Sequence, residues 1–440
     1  MDSSEVDAIA RDEAVNILMQ YEKKSQSLRS IIREHLADQS LGYIISARVQ
    51  SFSLGVIRYR NTIDFILNRS IPSGTLKQMH LLELNRLRLA LFESRWLKTQ
   101  YEILESTIER KLNHTTLKRA IEFDLASAVK SMNPTGRHSV IYSHPTFLVQ
   151  TLAEKLGTRE SINLMKHNNK PLTTYLRVNQ LISNPDEVIS SITERGVSLE
   201  SDKDIPFLYI VKDGLGIVIE SDEFKTGEIF IQDKASVLTV TTLNPKPGEH
   251  IWDACAAPGM KTHLIWELMN REGNLVASDI SSKRLLNAQQ RFETFGTDQI
   301  EWIHSDASKT PILGANKILI DAPCTSTGIL QSHPSYKWRL NKRWLFSIMT
   351  IQNKILDGII SAYSDYPGTE IVYATCSILP HEGENQIDSV LDRHNIELLD
   401  GPEIGGKGYS DFSCSDKVRR LFPHTHDTSG FFIAHLKISD

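Results

Sequence analysis

From Gly248 onward, six short apolar runs alternate with amphipathic stretches: "HIWDA", "NLVASD", "IEWIHSDA", "KILIDAPC", "EIVYATCS" and "GFFIAHLKI". Each run has strand length and each intervening stretch can form a helix, so the alternation predicts a parallel, doubly wound α/β sheet. Such sheets bind ligands beyond the carboxyl ends of their strands. The chain ahead of this region reads differently. Residues 5–133 read as consecutive helices: "VQSFSLGVIRYRNTIDFIL" places Phe52, Val56, Tyr59, Ile63 and Ile66 on one helical face, and "LLELNRLRLALFESRWL" interleaves leucines with Arg86, Arg88 and Arg95. Met132-Asn133-Pro134-Thr135-Gly136 then interrupts the pattern. Between about 140 and 235, "TTYLRVN", "FLYIV" and "LGIVIES" read as strands and "NPDEVISSITERG" as a capped helix ending at a glycine. Three domains are expected: all-α over 1–138, a small α+β unit over 139–235 and the α/β domain over 236–440.

At 440 residues, 40% apolar and 23% charged, the chain has the composition of a soluble globular protein and none of the polarity of a disordered one. Its start, "MDSSEVDAIARDEA", lacks an apolar signal core, and no apolar run approaches the roughly 20 residues a bilayer needs. A cytoplasmic location without membrane partners is expected. Cys255, Cys324, Cys376 and Cys414 lie too far apart for a CxxC pair, and the histidines of "FPHTHDTS" have no further ligand nearby, so no metal site is expected. Charge is uneven: residues 1–140 carry 20 Lys and Arg against 16 Asp and Glu, and the remainder 29 against 38. A modest basic excess fits a nucleic-acid partner and equally fits ordinary solvated helix faces.

The strand ends carry the chemistry. After "IWDA" the small-residue turn Cys255, Ala256, Ala257, Pro258, Gly259, Met260, Lys261 enters a helix, whose N-terminal N–H groups can approach a polar ligand. Asp279 ends the next strand, 26 residues beyond Asp253 and near the spacing at which an acid grips ribose hydroxyls. Asp306 ends the third, where it could accept from an adenine amino group, and Asp321 ends the fourth, just before Cys324. Any one of these aspartates could be a helix N-cap; four in succession point to a ligand. The absence of GxxxxGK[ST] disfavours phosphate-loop hydrolysis.

Cys324 and Cys376 end candidate neighbouring strands and would meet at one sheet edge. Two thiols beside a nucleoside cofactor suit one reaction in particular. A thiolate adds to C6 of a pyrimidine, C5 takes a methyl group, and a base then removes the C5 proton. Asp321 could hydrogen-bond the cytosine ring and stabilise the developing charge.

"DACAAPGMKT", "DAPCTSTGIL", "SYKWR" and "YATCS" resemble the motifs of RNA cytosine-C5 methyltransferases of the NOL/NOP/Sun family, in particular the RsmB-like branch. The resemblance implies a Rossmann-like methyltransferase domain, a NusB-like RNA-binding helical domain and an RRM-like middle unit. It also implies Cys376 as nucleophile, Cys324 as the residue assisting release, and S-adenosylmethionine held by Cys255 to Lys261, Asp279, Asp306 and Asp321. "FKTGEIFIQDKASVL" is similar to the family's lead-in to the catalytic fold, and "SGFFIAHLKI" to its last hairpin strand. Three stretches depart from the pattern: Met260 replaces a commoner glycine, "PHEGEN" is a looser acidic stretch, and "HDTSGFF" inserts polar residues.

The expected activity is cytosine-C5 methylation of RNA, with small-subunit rRNA as substrate and a monomeric enzyme; DNA is not an expected partner. The alternatives are the same chemistry on transfer RNA and a non-catalytic, RNA-binding assembly factor, which would have no need of two cysteines at converging strand ends. Cys414 receives no role, and Cys255 is read as packing beside the cofactor.

Overall fold

The computed structural model describes residues 3–440 except 25, 40, 72–75, 106, 109 and 110. The chain divides into two compact units, Met1–Pro171 with Leu330–Leu340, and Leu172–Ile329 with Asn341–Asp440.

The first unit is helical. Its core joins Ile17, Leu18, Val49, Phe52, Val56, Ile63, Ile66 and Leu87, all buried, and each fully buried aliphatic side chain contributes roughly 1.5–3 kcal/mol. The apolar face expected over Phe52–Ile66 is buried as anticipated, but on two helices, Tyr43–Arg58 and Arg60–Ser70, separated at Tyr59 (φ −105°, ψ 14°). Tertiary packing sets this break: the Tyr59 ring stacks on Trp96 at 4.2 Å, and no proline or glycine marks the position. Arg88 is buried and bonds to Asp64 and Glu22. The segment 330–340, which follows the Cys324 loop in sequence, folds into this unit. Arg58 donates to the Gln331 carbonyl at 2.7 Å and Arg29 to that of Ser332 at 2.6 Å, while Trp338 Nε1 donates to Ile57 O at 2.7 Å. Lys337 is fully buried, donating to Asn169 Oδ1 at 2.7 Å and to Arg58 O at 3.2 Å, and burial drives its pKa well down. The "SYKWR" motif thus has a structural role in the helical unit.

The second unit holds two sheets. The smaller comprises β1 (Thr174–Val178), β2 (Ser198–Ser201), β3 (Leu208–Asp213) and β4 (Ile229–Ile231), antiparallel in the order β2-β3-β1-β4. Asn184 caps the expected helix Pro185–Glu194 through Asp186 N. "LGIVIES" is not a strand: Leu215–Glu220 is a helix, with Val218 buried and Ile217 and Ile219 about two-fifths exposed. Gly214, at φ +83°, turns the chain out of β3, and a Cβ there would lie 2.9 Å from Val197 Cα. Burying Val218 alone among the six residues suits a helix laid on a sheet, and this packing overrides the β-propensity of the Ile-Val-Ile run.

The larger sheet contains β5 (His250–Asp253), β6 (Asn274–Asp279), β7 (Glu301–His304), β8 (Lys317–Asp321), β9 (Glu370–Thr375), β10 (Ile396–Leu399), β11 (Gly406–Lys407), β12 (Arg419–Leu421) and β13 (Phe431–Ile438). Its order is β11-β12-β13-β9-β8-β5-β6-β7, with β10 also paired to β13. Strands β5 to β9 are parallel, as the alternation predicts; "GFFIAHLKI" instead runs antiparallel to β9, with Thr375 opposite Phe432. Alternate residues serve opposite faces. Ile318, Ile320, Ile371 and Tyr373 pack with Ile355, Leu356 and Ile359 of helix Lys342–Ala362. On the other face, Leu319, Val372 and Ala374 pack with Val237 and Leu238 of Lys234–Leu243 and with Leu264 and Ile265 of Met260–Leu268. With both faces covered, the polar strand ends are the accessible edge.

Candidate active site

At the end of β5, Asp253 is fully buried and accepts from Thr262 Oγ1 at 2.6 Å, while its Oδ1 is buried without a hydrogen-bond partner among the described residues. Burial pushes its pKa up to about 7. The turn that follows is held by backbone contacts, Ala256 N to Ser278 O and Gly259 N to Ala256 O, both 2.8 Å. Gly259 has φ +96°, and a Cβ there would meet the Phe292 ring at 2.7 Å, so the turn closes against helix Ser282–Phe292 only with glycine. Met260 opens the helix that carries Lys261.

Asp279, at the end of β6, accepts from Ala257 N at 3.2 Å and Ser281 N at 2.8 Å. It shapes the β5 turn as well as its own. Asp306, after β7, caps the short helix Ala307–Lys309 by accepting from Ser308 N at 3.0 Å and Ser308 Oγ at 2.8 Å through one oxygen. The capping role weighed for any single aspartate is therefore filled by Asp306 alone, since Ser281 caps the helix after β6, and each carboxylate retains lone pairs for a ligand. Asp321 pairs with Lys261 Nζ at 2.7 Å. Burial opposes the charge on Lys261, but the Asp321 carboxylate more than offsets it and raises the lysine's pKa. The Cys255 thiol is pushed well up by burial and by the field of Asp253, Asp321 and Asp279, which keeps it an inert, packed thiol. A carboxylate cluster with one buried, unpartnered oxygen fits a ligand that carries positive charge, as a sulfonium amino acid does.

Cys324 and Cys376 follow β8 and β9, which are parallel neighbours, and their sulfurs are 3.0 Å apart. The hydrogen bond to Cys376, then burial, then the charge of nearby Glu382 push the Cys324 thiol well up. Ser326 Oγ lies 3.5 Å from Cys376 Sγ, and Gly328 N donates to Cys376 O at 2.9 Å. Gly328 O accepts from Gly430 N at 2.8 Å, and a Cβ on Gly328 would fall 1.8 Å from Gly430 O. Asp233 holds the neighbouring residues of that loop, bonding Thr428 Oγ1 at 2.9 Å, Ser429 N at 3.1 Å and Ser429 Oγ at 2.9 Å. The polar residues of "HDTSGFF" therefore brace the thiol loop from behind.

Two contributors escaped the sequence reading. Asp233 lies in the lead-in stretch with nothing to mark it. Glu382, within "PHEGEN", is fully buried and bonds residues beside both cysteines; its signal was an acid five residues after Ser377. Cys414 is buried in the core and its thiol is raised by burial, so it stands outside this site.

Three family models match the chain: 16S rRNA methyltransferase RsmB/F over residues 240–437, the RsmF/B-like ferredoxin-like domain over 144–210, and the NusB family over 8–124. A 28S rRNA (cytosine-C(5))-methyltransferase of Mus musculus is 30% identical over 67% of this chain, which spans only 39% of that protein's length. Ribosomal RNA small subunit methyltransferase B of Photorhabdus laumondii is 28% identical over 88% of this chain and 89% of its own length. The crystal structure of a methyltransferase homologue from Pyrococcus horikoshii, 26% identical, covers 70% of this chain and 99% of its own at a TM-score of 0.62. Among the described residues no helix is long and apolar enough to cross a membrane. Through its helical, ferredoxin-like and methyltransferase regions alike, the chain is similar to the RsmB/F methyltransferases.

Proposed function

We propose that this chain methylates C5 of a cytosine in small-subunit ribosomal RNA through a covalent adduct with Cys376, acting as a monomer in the cytoplasm. The observation that carries the reading is the pair of thiols, 3.0 Å apart, at the ends of neighbouring parallel strands beside the Lys261–Asp321 pair. Cys376 is the nucleophile, with the Cys324 sulfur 3.0 Å away in position to act on the adduct. Its thiolate forms a bond to cytosine C6, and the C5=C6 electron pair moves onto C5 and the ring. Asp321, anchored by Lys261, would accept a hydrogen bond from the amino group, and the Lys261 ammonium beside it would offset the charge as it develops. S-adenosylmethionine, when bound, would supply an electrophilic methyl group to C5. Cys255 to Lys261 would hold it with Asp279, and Asp306 would reach it through its uncommitted oxygen. With the Cys376 sulfur bonded to C6, the hydrogen bond and charge from Cys376 that raise the Cys324 thiol are gone, so Cys324 gives its proton to water and its thiolate takes the C5 proton. The C5–H electrons restore C5=C6, and the C6–S electrons return to Cys376.

RNA docking by the first unit has a physical basis. A groove of about 740 Å³ is lined by Ser27, Arg29, Ser30, Arg33, Gln50 and His333, together with apolar residues and, among the described residues, no carboxylate. Such a surface suits phosphates. Four free cysteines fit a reducing compartment. Bisulfite sequencing of total RNA with and without the protein tests the reading: one small-subunit cytosine loses methylation when the protein is absent. Loss confined to transfer RNA would replace the substrate, and no loss in any RNA would remove the activity.

A further inference from the structure

We propose that Glu382 is a positioning residue for methyl transfer: its carboxylate ties the Cys324 loop to the Cys376 loop and so fixes the separation of the two thiols. This rests on the reading of Cys376 and Cys324 as the reacting pair.

The geometry is specific. One carboxylate oxygen accepts from Thr325 N at 2.7 Å and Gln352 Nε2 at 3.2 Å, and the other from Thr325 Oγ1 and Ser377 Oγ, both at 2.5 Å. Thr325 follows Cys324 and Ser377 follows Cys376, so one buried side chain holds the residue next to each thiol. The direction of each hydroxyl proton extends the lock. The Ser377 hydroxyl gives its only hydrogen to Glu382 and accepts from Leu379 N at 3.1 Å, so Thr327 Oγ1, 2.9 Å away, must donate to it. Thr327 Oγ1 in turn accepts from Ile378 N at 3.1 Å. Every hydrogen in this net has one allowed direction while Glu382 is ionised, and a net with one arrangement is rigid.

The anchor is itself held. Arg420, fully buried and paired with Glu384, donates to Ser377 O and Leu379 O, both at 3.2 Å, and Tyr409 donates to Ile378 O at 2.8 Å. Tyr373 donates to the backbone carbonyl of Glu382 at 3.0 Å. Glu382 touches neither sulfur in these hydrogen bonds; it acts through the two loops. Its negative charge also adds to the forces that keep the proton on Cys324. The remaining ionisable groups facing the thiols are Lys261 with Asp321 at the sheet edge, and Tyr373.

Two substitutions separate geometry from charge. Glu382→Ala removes the lock and is expected to lower kcat about a hundredfold, the effect of a misplacement near 1 Å, with the KM values for RNA and S-adenosylmethionine nearly unchanged. Glu382→Gln can keep the lock, since its carbonyl still accepts from Thr325 N and its amide can donate to the hydroxyls. It should therefore retain kcat within about tenfold. With the negative charge gone, the thiol-dependent limb of its pH–rate profile should move to lower pH by roughly one pH unit. The proposal is overturned if Glu382→Gln leaves that limb in place, or if Glu382→Ala keeps wild-type kcat. It is also overturned if both variants lose cofactor affinity in step with kcat, the mark of a merely structural residue. Cys376→Ala run in parallel isolates the underlying reading: turnover by that variant refutes the nucleophile assignment whatever the Glu382 variants do.

Discussion

Carboxylates along one edge of the large sheet play two different parts. At the ends of β6 and β7, Asp279 and Asp306 accept mainly from backbone N–H groups and shape the turns there. Beyond β8 and β9, Asp321 and Glu382 engage side chains, a lysine in one case and two hydroxyls and an amide in the other. The first arrangement sets the backbone and leaves lone pairs for a ligand. The second fixes side chains of separate segments relative to each other. The same residue type thus serves two ends in different company.

Asp253 offers the largest effect with which to break this contrast, because it belongs to the cofactor half yet is a buried acid with an unpartnered oxygen. Its folded-state pKa of about 7 stands above the ordinary 3.8, so the native state binds the proton more tightly than the unfolded chain does. Stability is full below the ordinary value and falls as pH rises toward 7, by on the order of 4 kcal/mol in all. From pH 5 to pH 8, urea unfolding should show the wild type losing roughly 3 kcal/mol more than Asp253→Asn does.

Asp279→Ala comes next. Losing charge-assisted bonds to ribose hydroxyls, worth on the order of 1.5–3 kcal/mol, should weaken S-adenosylmethionine binding roughly tenfold to a hundredfold by calorimetry. Unchanged affinity would make Asp279 a turn-former only. Asp306→Ala should cost about 1 kcal/mol of stability for the lost cap, and Asp306→Asn should restore it, in thermal melts. The smallest effect concerns the first unit, where Arg88 is paired with Asp64 and Glu22 while exposed Arg33 lines the groove. Arg33→Ala should reduce the slope of log affinity for RNA against log salt by about 1 and leave cofactor binding unchanged. A point substitution is the proper probe, because deleting residues 1–138 would strip the helices against which Trp338 and segment 330–340 pack.

The catalytic sheet was legible because each strand is a short apolar run bounded by a polar strand end, as in "KILIDAPC". The meeting of Cys324 and Cys376 followed from placing their strands side by side. What stayed hidden depends on distant partners. The helix at Leu215–Glu220 follows from packing after Gly214, and the break at Tyr59 accompanies its stacking on Trp96. Glu382 draws its partners from Thr325, Gln352 and Ser377, on three separate segments. No local pattern could distinguish it from a surface acid in "PHEGEN". Segment 330–340 could not be assigned to the helical unit from sequence, since the carbonyls that Arg29 and Arg58 bind carry no side-chain signal.

The central claim, that two thiols act at different steps of one covalent reaction, is tested most directly by a denaturing gel after incubating each cysteine variant with small-subunit RNA and S-adenosylmethionine. Cys324→Ala should attack and methylate but fail to release, and so give a slow-migrating protein–RNA band. Cys376→Ala should give neither band nor methylation. A trapped band with Cys376→Ala, or methylation by it, would contradict the account.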